Sequence, residues 1–136
     1  MDVQFSKLNT IEDEKLIFVV IIAKYKNQWI LCKHKERTTW EIPGGHRENG
    51  ETILASAKRE LFEETGAVDY TITPICIYTE NGISGLLYYA NVKELQKLPQ
   101  SEIERIDFFD DVTNIEWTYP NIQPKLLAYF KREDKV

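Results

Sequence analysis

The chain has 136 residues, enough for one packed core and short for two. Its 17 basic and 22 acidic residues leave a net charge of −5, which argues against a general nucleic-acid or membrane-surface binder, since those carry a basic patch or stripe. With 43% apolar residues and charges mixed along the chain, the composition is that of a globular protein and not of a disordered one.

The first fifteen residues are polar and lack a signal peptide's order of charge, apolar run and small-residue cleavage site. Leu16 to Ala23 is too short to span a bilayer. Leu16 to Tyr25, rich in β-branched and aromatic residues, reads as a strand buried on both faces. Lys26-Asn27-Gln28 turns the chain, and Trp29 to Lys33 returns as the second strand of a hairpin. Cys32 lies there and Cys76 in a later strand. Their separation is not a metal-type spacing, so they read as buried thiols in a reducing compartment, and the cytoplasm is the expected location. After a polar loop, Trp40-Glu41-Ile42 alternates like a short strand and stops at Pro43, which lacks a backbone donor.

From Thr52 to Thr65 the period becomes helical, with Ile53, Leu54, Ala57 and Leu61 on one face and Gly66 as the C-terminal cap. Tyr70 to Tyr78 and Leu86 to Val92 read as strands joined by a turn at Glu80-Asn81-Gly82, and Ile103 to Phe109 as a fifth main strand. Pro120 suits the start of a last helix carrying Ile122, Leu126, Leu127 and Phe130. A single domain over residues 1–136 is expected, an α/β three-layer sandwich with a helix on each side of a mixed sheet, because two layers would leave one sheet face bare.

The chemistry is concentrated between Pro43 and Ala67. Glu60, Glu63 and Glu64 are three and four apart on the helix, so their carboxylates crowd together. They repel one another, and they sit near the helix C-terminus, where the backbone dipole disfavours negative charge. A hard divalent cation with oxygen ligands resolves both conflicts; Mg²⁺ is expected, with Mn²⁺ as the alternative. Gly44 and Gly45 precede the helix as a loop that would let the backbone approach a phosphate, and a carbonyl of that turn would add an oxygen to the metal. Arg59 is placed to steer a carboxylate.

The segment Gly45 to Ala67 resembles the Nudix box of the MutT/Nudix hydrolases: Gly45, Glu51, Arg59, Glu60, Leu61, Glu63, Glu64 and Gly66 fill its positions, and Ala67 departs from it, being small where the family has Ile, Leu or Val. The resemblance implies that Glu60, Glu63 and Glu64 hold the metal with the main-chain oxygen of Gly44. It also implies that Arg59 positions a glutamate and that Glu51 supports the junction of loop and helix. The implied reaction is attack by water on a phosphorus of a nucleoside diphosphate linked to a further group. Within the family the base is either a box glutamate, here Glu60 or Glu63, or a carboxylate from a later loop, for which Glu102 is the candidate. Oxidised purine triphosphates are among the substrates left open, and a homodimer is also left open. Among the aromatic residues, those on strands read as core, whereas Trp117 and Tyr119, in a loop before the last helix, read as substrate contacts. The alternative is a module that binds a nucleotide or nucleotide-sugar without hydrolysing it; the full set of repelling acids with an arginine favours the enzyme.

Overall fold

The computed structural model describes residues 2–133. In chain order it contains β1 (Gln4–Ser6), a 3₁₀ turn (Asp13–Lys15), β2 (Phe18–Tyr25), β3 (Gln28–His34), β4 (Gly44–His46), α1 (Ile53–Thr65), β5 (Ala67–Glu80), β6 (Ile83–Leu95), β7 (Ile103–Phe109) and α2 (Gln123–Glu133). The strands form one mixed sheet in the order β1-β5-β6-β2-β3-β7, with β4 beside β2.

β2 runs parallel to β6 along its whole length. Its side chains alternate, Val19, Ile21 and Ala23 entering the core under α1 while Ile22 enters the core under α2. A strand with helices on both faces must be apolar at every position, which is why this segment shows no polar alternation. Ile53, Ala57 and Leu61 bury the inner face of α1, and Leu126, Leu127 and Phe130 that of α2. The three expected layers are therefore present. No helix among the described residues is long and apolar enough to cross a membrane.

What opens the site is a split in the sheet. The Lys26-Asn27 turn, with φ of 50° and 68°, starts a hairpin of β2 with β3, but the pairing holds only for Lys24–Trp29 and Tyr25–Gln28. Beyond it β3 follows β7, and β4 takes its place against Phe18, Val19 and Val20 of β2. A single bridge between Cys32 and Glu41 spans the gap.

Several expected boundaries shift. The strand after Trp40 lies beyond Pro43 and not before it: Trp40 and Glu41 make only isolated bridges, and the Pro43 carbonyl still accepts from the Ile21 N–H at 2.8 Å. Proline removes one ladder bond but leaves its acceptor in place. Leu54 is exposed, off the buried face of α1. β5 and β6 extend well past the apolar runs that marked them, because Asn81-Gly82, with φ of 52° and 77°, forms a two-residue turn and pairing then starts at Glu80–Ile83. α2 begins at Gln123, so Pro124 and not Pro120 occupies its first turn, where a missing N–H costs nothing. β1 and the 3₁₀ turn carry too little apolar pattern to be seen in the sequence.

Candidate active site

Gly44 and Gly45 are strand residues and not a loop. Positive φ among the glycines falls at Gly50, Gly66 and Gly82 instead. The pair is glycine because of crowding: a Cβ on Gly44 would overlap the Val19 carbonyl oxygen, and one on Gly45 would overlap Oε2 of Glu60. In an antiparallel pair, alternate residues turn their polar groups away from the neighbouring strand. Pro43 and Arg47 bond to β2, so Gly44 and His46 face outward. The Gly44 N–H donates to Oε1 of Glu64 at 2.9 Å, and the His46 carbonyl accepts from Arg59 Nη2 at 3.0 Å. β4 is thereby fastened to the acidic end of α1.

Arg59 is the hub. Its Nε and Nη2 donate to the two oxygens of Glu51 at 2.6 and 3.0 Å, and Nη1 lies 3.3 Å from both Glu60 and Glu63. Hydrogen bonds from Arg59, then Ser56 and the Glu48 amide, hold Glu51 down at a pKa of about 2. Burial does the opposite to two neighbours. It lifts Glu60 to about 7 against the pull of Arg59, and Glu64 to about 8 against the Gly44 amide. These are carboxyls short of positive charge, one turn apart on one helix.

This donor set fits a hard divalent cation in its chemistry: carboxylate oxygens, a Gly44 carbonyl with no place in the β2 ladder, and buried acids that a cation would relieve. The acids do not converge as a ready cage, however. Among the described residues no three His, Cys, Asp or Glu side chains are grouped to hold an ion. Glu63 is turned to Arg59 and Glu64 to the Gly44 amide.

On the α2 side of β4 lies a cavity of about 270 Å³. Its walls include Phe18, Val20, Tyr78 and Ile122, its edge Gly44, Gly45 and His46, and its polar groups Glu41, Glu80, Tyr119 and Gln123. Gly45 and Tyr119 both line this cavity. Trp117 does not line it; this residue bridges to Trp40 and packs on the α2-side core, because the loop that carries it continues the sheet edge. Glu102 is exposed, its carboxylate 3.9 Å from His34 Nδ1, and its charge acts on Glu64. Next to it, Ser101 Oγ donates to the Glu63 carbonyl at 3.3 Å, tying the start of β7 to α1.

Two residues were not singled out in the sequence. Glu41 is buried, accepting from Arg37 Nη1 at 2.8 Å, and its charge also acts on Glu64. An acid alternating with Trp40 and Ile42 was its only signal. Gln123 is buried as well, its Oε1 accepting from the Ile42 N–H at 2.8 Å. A glutamine at a helix start carries no sequence signal of this kind. Cys32 and Cys76 are unpaired and buried, as expected.

The site thus lies in an α/β domain whose mixed sheet is split between two helices, with the acidic turn of α1 fastened across the split. The model of the NUDIX domain matches residues 14–130, and the chain belongs to the Nudix family. It is 32% identical over 83 residues to YtkD of Bacillus subtilis (strain 168), provisionally named an 8-oxo-dGTP diphosphatase; the match covers 58% of this chain and 52% of YtkD. A MutT-like protein of Streptomyces ambofaciens is 27% identical over 104 residues, 74% of this chain and 61% of that protein. The matched stretch thus spans only about half to three-fifths of these two relatives. Among solved structures, a mutant of the Bacillus subtilis pyrophosphohydrolase BsRppH superposes with a TM-score of 0.80 at 23% identity, covering 98% of this chain and 92% of that one. The NUDIX domain of Shewanella oneidensis NrtR, complexed with ADP ribose, gives 0.69 at 15%, covering 93% and 96%. At these identities the likeness is one of fold.

Proposed function

We propose that the protein is a Mg²⁺-dependent pyrophosphohydrolase that cleaves a nucleoside diphosphate linked to a further group, with a purine nucleoside triphosphate, oxidised or not, as the first substrate to try. The observation that carries this reading is the acidic turn of α1 fastened by Gly44 and His46 to the edge of a cavity of about 270 Å³ walled by Phe18, Tyr78 and Ile122. The relatives named for 8-oxo-dGTP hydrolysis support the choice of substrate. Mg²⁺, or Mn²⁺ in its place, would be held by Glu60, Glu63, Glu64 and the Gly44 carbonyl. When bound, the metal supplies charge neutralisation at phosphate and a lowered pKa for water.

The chain's own residues do the rest. Arg59, locked by Glu51, fixes where the carboxyls of Glu60 and Glu63 lie. β4 forms the floor between cavity and acids, so a base in the cavity leaves its phosphates pointing toward α1. Glu102, whose charge acts on Glu64 and which is open to water, is the candidate to take the proton from the attacking water, with Glu60 and Glu63 as the alternatives within the helix. A cytoplasmic location fits two unpaired buried thiols.

A hydrolysis screen with Mg²⁺ over nucleoside triphosphates, 8-oxo-dGTP, ADP-ribose and nucleotide-sugars, with products identified, tests the proposal. Turnover that needs Mg²⁺ and is lost in Glu63→Gln is expected. Binding without turnover of any of these compounds would instead establish a sensor.

A further inference from the structure

The turn that leaves β3 is basic, and two of its cations are used close by. Lys33 Nζ donates to the Arg37 carbonyl at 2.7 Å and pairs with Glu104, while Arg37 Nη1 donates to Glu41 at 2.8 Å. His34 sits between them. Its Nε2 lies 3.4 Å from Oε1 of Glu41 and its Nδ1 3.9 Å from Oε2 of Glu102. A ring turned over would put C–H groups against both carboxylates, so its partners fix its orientation.

The backbone brings this imidazole to the acidic turn. Residues two apart on a strand share a face, and Cys32, two before His34, has its Sγ 3.9 Å from Oε1 of Glu64. Lys33 pairs with Arg105 but His34 with Ile103, so Glu104 is an extra residue in β7 and the strands are re-aimed at this point. Glu102 is held there too. Its carbonyl accepts from the Lys35 N–H at 3.0 Å, and the preceding Ser101 hydroxyl donates to the Glu63 carbonyl at 3.3 Å. The side chain itself is exposed, with His34 Nδ1 beside its carboxyl.

Glu41 is paired to Arg37, and a carboxylate only accepts. It therefore holds the single proton of a neutral imidazole on Nε2, which leaves the Nδ1 lone pair directed at Glu102. In the proposed hydrolysis one O–H bond of water breaks. Its proton goes to Glu102 and its electron pair to the new bond with phosphorus, while the leaving phosphate oxygen takes the pair of the broken P–O bond. Glu102 then carries an O–H that needs an acceptor, and Nδ1 is one. We propose that His34 is a positioning residue for this reaction: held by Glu41, it receives the hydrogen bond of Glu102 as that carboxylate takes the proton of the attacking water. This rests on Glu102 being the base of the proposed pyrophosphohydrolase.

The full chain is assayed with Mg²⁺ on dGTP, 8-oxo-dGTP, ADP-ribose and UDP-glucose, as the unaltered protein, His34→Phe, Glu102→Gln and the pair combined. His34→Phe keeps the bulk of the ring and loses both nitrogens. It should lower kcat roughly tenfold and leave KM within about twofold. In the combined variant nothing further should be lost beyond Glu102→Gln alone, because a group that acts through Glu102 has nothing left to act on. A merely structural role would cost the same factor in both backgrounds. The tautomer is read separately, from the ¹⁵N resonances of the imidazoles at about pH 8, above the ordinary range of histidine. The chain has two histidines, so the set missing from His34→Phe belongs to His34 and should show the proton on Nε2. Losses that multiply, an unchanged kcat in His34→Phe, or a proton on Nδ1 would overturn the proposal. Turnover indifferent to Glu102→Gln overturns it through the base assignment and leaves the pyrophosphohydrolase reading intact. No turnover of any of these compounds removes both.

Discussion

At the scale of single residues, spacing and burial carry different information. The Glu60, Glu63, Glu64 cluster and Arg59 are legible because helical periodicity converts sequence separation directly into proximity. Gly45 is legible as a glycine but its reason is not. Its role is to leave room for the Glu60 carboxyl across β4. Gly45→Ala should therefore displace Glu60 and weaken Mg²⁺ in activity titrations by roughly 10–100-fold, the range for residues that support a metal ligand. An unchanged Mg²⁺ dependence would show that Glu60 has space to move. For Glu102, replacement by Gln should lower turnover at least about tenfold with metal affinity nearly unaltered, as for loss of a general base. If the rate is unaffected, the proton goes to a glutamate of α1.

The helix and strand boundaries divide in the same way. α1 is marked at both ends by local chemistry: Thr52 accepts from the Ala55 N–H at 3.1 Å, and Gly66 ends the helix at φ 80°. A side chain at Gly66 meets two costs, the left-handed backbone and the Gln96 carbonyl behind it. Gly66→Ala is expected to destabilise the fold by about 1–2 kcal/mol from the backbone term alone, read as a lower denaturation midpoint at an unchanged slope. β4, by contrast, is three residues with two glycines and has no strand signature of its own. It is a strand because β2 has an open edge where β3 has turned away to β7. The same tertiary supply of partners lengthens β5 and β6 through polar residues that no alternation pattern would include.

For the molecule as a whole, the site imposes a cost that depends on pH. Folding moves Glu60 and Glu64 from about 4.5 to about 7 and about 8, so over that interval the native chain binds more protons than the unfolded one. Stability without a divalent cation must then fall as pH rises from about 5 through about 8. Glu51 runs the other way: its pKa drops from 4.5 to about 2 on folding, and its contribution, complete above that interval, is lost as pH falls through it. Thermal unfolding followed with and without Mg²⁺ checks this. Mg²⁺ should raise Tm more at about pH 8 than at about pH 5, where protons compete for the same oxygens. A Mg²⁺ effect independent of pH would mean that the ion is held elsewhere.

The sequence by itself determined the layering and the acidic turn, because each rests on periodicity within one segment or on local caps, and it pointed to the family through the resemblance of Gly45 to Ala67 to the Nudix box. It determined a Cys32 and Cys76 buried in strands for the same reason. Only the tertiary structure decided that Gly44 and Gly45 form a strand, that Trp117 packs half-buried against the α2-side core, and that Glu41 and Gln123 line the cavity. Those outcomes depend on the split between β2 and β3, which brings residues 80 or more positions apart into one wall, as Ile42 and Gln123 show. Contacts at that separation leave no period in the chain, and a polar residue buried by them looks like any exposed one until its partner is seen.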